Sequence, residues 1–119
     1  MAAPNIVRVS TINGKTAVQN VTTVAANIIS NSASSGKVLK INSLIVSNVD
    51  GTNSSNITID LYRASTAYRI VSSVTVPAGT SFTALTKDIS IYLEEGDGLR
   101  CTASSNSDLE AVCSYEEIS

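Results

Sequence analysis

The sequence predicts an all-β domain: a single antiparallel β-sandwich of jelly-roll type with about eight strands. Three observations point there. Ser and Thr supply about a quarter of the 119 residues while charged residues supply only 15%. Thr, Val and Ile suit the half-buried pleated surface of strands, and strong helix formers are scarce. Apolar residues recur mostly at a period of two, in short runs punctuated by polar turn clusters, which is the pattern of sandwiches and barrels.

Taken in order, residues 6–12 and 15–21 flank Asn13-Gly14, a dipeptide that readily supplies the two positive φ values of a type I′ turn. A hairpin is expected there. Around residues 24–30, Val21, Val24, Ala25 and Ile28 have helical spacing, yet β-branching and short length favour a strand. Residues 31–36 read as a loop. Residues 37–48 read as one long strand, with Leu39, Ile41 and Ile45 on one face and Val38, Leu44 and Val46 on the other. Apolar on both faces, it belongs in the middle of a sheet.

A polar turn covers residues 50–55. Ile57, Ile59 and Leu61 then alternate with Thr58, Asp60 and Tyr62. The following strand turns Ile70, Ser72, Val74 and Val76 inward and stops at Pro77-Ala-Gly79. Residues 81–85 and 89–93 precede a closing hairpin. With its turn near residues 105–108, Cys101 falls opposite Cys113 on an adjacent strand, both sharing the parity of Leu99, Leu109 and Ala111. Two reduced, buried thiols are expected, with a cross-strand disulfide as the alternative.

One domain spans residues 1–119, with 1–23 forming an N-terminal hairpin or an arm used in assembly. Eight Lys and Arg stand against ten Asp and Glu, a net charge of −2. The cations are scattered, so nucleic-acid binding, which rests on clustered positive charge, is not expected. No apolar run approaches the ~20 residues of a membrane-spanning helix. Met1-Ala-Ala-Pro4 lacks the charged start and apolar segment of a signal peptide.

There is no histidine, which removes the commonest general base, triad member and transition-metal ligand together. No phosphate-binding Gly-rich loop and no zinc-spaced Cys pair is present. Glu94 and Glu95 are adjacent and so face opposite ways on a strand, and Gly96-Asp97-Gly98 reads as a turn. These are expected to be solvated charges. Catalytic, cofactor-binding and metal residues are therefore all expected to be none, and the protein is not expected to be an enzyme. The surface feature that stands out is Tyr62-Arg63-Ala-Ser-Thr-Ala-Tyr68-Arg69. Pairing Leu61 with Ile70 places Tyr62 opposite Arg69 across a four-residue tip, and Tyr and Arg are enriched at binding hot spots. Tyr62, Arg63, Tyr68 and Arg69 are the candidate interface residues.

Several segments share one pattern in order: Lys40-Ile-Asn-Ser-Leu-Ile-Val-Ser-Asn48, the strand around Ile57–Leu61, Val74-Thr-Val-Pro-Ala-Gly-Thr80, Tyr92-Leu-Glu-Glu-Gly-Asp97 with Leu99, and Ser114-Tyr-Glu-Glu117. Over roughly residues 37–119 the chain resembles the small β-sandwich structural proteins of tailed-bacteriophage virions, particularly phages of marine bacteria and cyanobacteria. The resemblance implies a non-enzymatic virion component, assembled in the host cytoplasm and present in symmetric copies. Its partners would be the major capsid protein or neck and tail subunits, and it would itself be a homo-oligomer. Capsid decoration, as a cement protein, is the first expectation; a neck, collar, tail or baseplate position is the alternative. A carbohydrate- or receptor-binding module is a second alternative, since sandwiches are also lectin scaffolds. The chain's lack of Trp, with one Phe and four Tyr, leaves few aromatic platforms for sugars.

Overall fold

Period-two alternation becomes nine strands in the computed structural model, which describes residues 4–119. They are β1 (Ile12–Val21), β2 (Ala26–Ser30), β3 (Val38–Asn48), β4 (Ser55–Arg63), β5 (Thr66–Val76), β6 (Ser81–Leu85), β7 (Ile91–Leu93), β8 (Gly98–Ala103) and β9 (Leu109–Ile118). All pairings are antiparallel. One sheet runs β1-β9-β3-β6 with β7 also on β3, and the other runs β2-β8-β4-β5. Strand β6 pairs with Leu44–Ser47 and β7 with Leu39–Ile41 of the same strand. They act as one edge strand interrupted by a 3-10 turn, Lys87–Ile89. Counted so, four strands face four in jelly-roll order, with late strands inserted between early ones.

The two inner faces make one core. Leu39, Ile41, Leu44 and Val46 of β3 join Leu109, Ala111 and Cys113 of β9 from one sheet. From the other come Ile57 and Ile59 of β4 with Leu99, Cys101 and Ala103 of β8. Long aliphatic chains meet small ones, which lets the faces interdigitate at native density. Two buried asparagines tie strand ends to loops. Asn48 Nδ2 donates to the carbonyls of Asn53 and Val76, at 2.9 Å each. Asn31 Nδ2 donates to those of Lys37 (2.8 Å) and Leu93 (3.1 Å).

The sandwich and the central position of the long strand match the sequence expectation; several local readings need correction. The register of β3 on β9 shifts between Ile41 and Ser43. This bulge adds Asn42 and swaps faces mid-strand. Leu39 and Ile41 before it, and Leu44 and Val46 after it, therefore all point inward, while Ile45 points out. The core side chains of this strand come from both sequence parities, and Ile45 stays apolar on the outer face.

Asn13-Gly14 is not a hairpin turn. Both residues lie inside β1, which pairs continuously with β9 from Ile12↔Ile118 to Val21↔Leu109. Ten rungs of ladder outweigh the local turn preference of one dipeptide, and residues 6–11 form no strand. Of the expected N-terminal hairpin or arm, Met1, Ala2 and Ala3 lie outside the described residues. In β5, Val76 is fully buried but Val74 is partly exposed. Two register irregularities against β4 break the expected parity there.

The cysteines need the largest revision. Strands β8 and β9 do not form a hairpin: they belong to different sheets, so Cys101 and Cys113 approach the core from opposite sides. Both are free and buried. Burial, with a smaller contribution from Cys113 and Asp60, pushes the Cys101 thiol up to about 12. Burial alone pushes Cys113 up to about 11. Since the thiolate is the reactive form, both thiols of the folded protein are expected to resist a thiol-modifying reagent at about pH 8 and to react on unfolding. Rapid labelling of either one in native protein, followed by mass spectrometry, would contradict this arrangement.

Candidate functional site

The β4–β5 hairpin that holds the candidate residues has a tighter register than expected. Arg63 pairs with Thr66 and Tyr62 with Ala67, leaving a two-residue tip. Ala64 (φ 51°) and Ser65 (φ 61°) both adopt positive φ, as a type I′ turn requires. Neither is Gly, Asn or Asp, so no turn signal marked the tip in the sequence. The two-residue slip moves Arg69 from Tyr62 to Asp60. Arg69 Nη1 there donates to both carboxylate oxygens, at 3.0 and 3.1 Å.

The four candidates therefore separate. Tyr62 stacks under a residue the sequence did not flag: the Arg100 guanidinium lies 3.5 Å from its ring centroid. Tyr68 opposes Leu61 and remains exposed. Arg63 leaves the hairpin face altogether. Its Nε donates to Asp97 Oδ1 (2.8 Å), and its Nη2 to Asp97 Oδ2 (2.6 Å) and Glu94 Oε2 (2.8 Å).

That latch corrects the reading of Glu94-Glu95-Gly-Asp97 as solvated charges. Asp97 is only 2% exposed. It also accepts the Glu94 backbone N–H at 2.8 Å across a turn that Gly96 makes possible at φ 88°. Burial alone would raise its pKa, but the Arg63 bonds and the Glu94 N–H outweigh it and hold the carboxyl below its ordinary range. Glu95 Oε2 accepts the Gly36 N–H at 3.0 Å. The acidic turn is thus a fastener between β4, β7, β8 and the loop after β2. Among the described residues, no three His, Cys, Asp or Glu side chains gather as a metal site would need.

The opposite sheet presents a different surface. Val18 pairs with Val112, and Val112 with Ile45. The three side chains form a row across the outer face of β1, β9 and β3, exposed by 74%, 43% and 38%. Above it lie Asn20, Glu110 and Ser47, and below it Thr16, Ser114 and Ser43. Around this row the face is sparsely charged, with Glu110 its one charged residue, and apolar along its middle. Beside it, β1 is the outermost strand, ten residues long. Its outward N–H and C=O groups have no strand partner within the sheet. Long edge strands are templates for pairing with another chain unless blunted, and here Lys15 is the one charged side chain on the strand. Simple alternation puts Ile45 on the face of Leu39 and Ile41, and Val18 and Val112 sit on strands that share no local pattern, so no sequence signal marks the row.

No family model matches this sequence, and no curated protein does. The fold does have a solved counterpart. Over 100% of this chain and 96% of the other, the structure is similar to a subunit described in a study of Bacillus endospore appendages, which form a family of disulfide-linked pili, with a TM-score of 0.54 and 15% identity. At that identity the likeness bears on the fold. It places the two-sheet sandwich among known β architectures over the full length of the chain.

Proposed function

We propose that this chain is a non-enzymatic structural subunit of a tailed-phage virion, a capsid decoration protein held in symmetric copies. A neck, collar, tail or baseplate position is the alternative within the same reading. The observation that carries assembly is the Val18–Val112–Ile45 row lying next to the open edge of β1. An apolar strip bordered by hydroxyls and amides loses little on desolvation, and a free edge adds directional backbone bonds. The phage context comes from the resemblance over residues 37–119.

The pilus subunit with a similar fold is also an assembling protein, which supports the coarser part of this reading. Disulfide linkage does not carry over through Cys101 and Cys113, because both are buried free thiols. Purified particles analysed by quantitative mass spectrometry are expected to contain this chain at a copy number set by particle symmetry, and cryo-electron microscopy to place sheet β1-β9-β3 against a neighbour. A strict monomer by light scattering, together with absence from purified particles, would overturn the reading.

A further inference from the structure

The outer face of the β2-β8-β4-β5 sheet holds a depression of about 400 Å³. A row of paired residues crosses its floor: Arg100 on β8 sits beside Asp60 on β4, which sits beside Arg69 on β5. Thr23, Thr58 and Thr102, with Ala25 and Ala67, line the rest. Two guanidiniums against one carboxylate leave this spot with one net positive charge, in a chain whose overall charge is −2.

The two arginines are not equivalent. Arg69 is committed to Asp60, a residue 3% exposed that its guanidinium neutralises. Arg100 forms no ion pair among the described residues. Stacking on Tyr62 fixes its plane, and its Nε is buried without a hydrogen-bond partner. The Nε is closed to a ligand, but the guanidinium lines the depression with no carboxylate of the described residues on it, which leaves its outer N–H groups for a bound acceptor. A pre-oriented guanidinium matches a carboxylate.

The remainder of the site selects among carboxylates. Strands β8 and β4 are each paired on both sides, so the floor offers a ligand side chains but no free backbone edge. An extended acidic peptide could pair only at an outer edge of the sheet, beside β5 beyond Arg69 or beside β2, at least two strand spacings from Arg100. A ligand carrying hydroxyls beside its carboxylate fits better. Thr58 Oγ1 already accepts the Ser73 N–H at 3.1 Å, so its hydroxyl proton remains free to donate. The volume suits one six-membered sugar ring. We propose that this depression binds a carboxylated sugar, a hexuronate unit of an acidic polysaccharide, with its carboxylate on Arg100 and its hydroxyls on Thr58 and Thr102.

The test is a titration of isotope-labelled protein followed by NMR, with glucuronate, glucose and acetate in separate arms up to about 50 mM, well into the range of millimolar affinity. Glucuronate is expected to shift the amides around Thr58, Arg100 and Thr102, binding at least about tenfold more tightly than glucose or acetate. Arg100→Gln is expected to weaken it at least about tenfold, the ratio appropriate to a charge-assisted bond. Acetate matching glucuronate would reduce the site to a simple anion contact and overturn the proposal. So would the absence of shifts at the highest concentration, or wild-type affinity in Arg100→Gln. Should that variant not fold, Thr102→Val removes a single hydroxyl, and unchanged affinity there is equally decisive against it. Either result leaves the virion reading intact, since that rests on the other sheet.

Discussion

Arg63→Ala is expected to lower the free energy of unfolding by about 3 kcal/mol, at the low end for breaking a buried ion pair because the arginine itself is partly exposed. The substitution takes three hydrogen bonds from two carboxylates and leaves Asp97 buried with the Glu94 N–H. Glu94→Ala removes only the exposed arm of the same network and is expected to cost less than about 1 kcal/mol. Acid adds a signed check. The Asp97 pKa is depressed below its ordinary 3.8. Its stabilisation is therefore fully present above that value and is lost as pH falls through the lower, folded-state pKa. The gap between wild type and Arg63→Ala, measured by urea unfolding at about pH 7 and again in acid below the ordinary carboxylate range, should be wide at the first and narrower at the second. A gap of equal width at both would mean that Arg63 acts through packing rather than through the Asp97 charge.

The same latch gives a structural task to one of two short motifs that the sequence shows. The Leu-x-x-Gly-Asp turn is Leu93 to Asp97, where Gly96 takes positive φ and Asp97 anchors Arg63. The strand that ends in Asn ends at Asn48, whose amide ties β3 to β5 and to the following loop. Asn48, Gly96 and Asp97 each have a structural task, and that is what these positions of the pattern report.

What the sequence hid follows from register. A bulge inserts one residue and reverses every face beyond it, so Ile45 changed sides with Asn42 as the hidden cause. The sequence reading set the β4–β5 tip two residues too wide because Ala64 and Ser65 hold positive φ without the usual turn residues. That error joined Tyr62 to Arg69 and concealed both the Arg69–Asp60 pair and the Tyr62–Arg100 stack. The cysteine pairing failed for a topological reason. Consecutive strands were taken as neighbours, whereas a jelly roll sends β8 and β9 to opposite sheets. Alternation holds where the ladder is regular, as for Ile57 and Ile59 against β8 or Leu109, Ala111 and Cys113, and fails beyond a register shift, as for Ile45 and Val74.

Val112→Glu is expected to leave the fold intact and to cut the protein's occupancy on particles at least about thirtyfold, the ratio that corresponds to a hot-spot loss of about 2 kcal/mol. Val112 sits at the middle of the exposed row, between Val18 and Ile45, and the row continues to Thr83. None of these offers a cation, and Glu110 lies in the adjacent row. A carboxylate placed there would be desolvated without a partner in any interface that uses this face. In the free protein the same side chain reaches water, so the thermal midpoint should move little. Ser114→Ala, one row away, serves as the neutral comparison. Quantitative mass spectrometry of purified particles reads occupancy, and thermal unfolding reads the fold. An unchanged copy number with Val112→Glu would remove sheet β1-β9-β3 as the docking face and transfer the search to the free edge at β5, the other long outer strand of the sandwich.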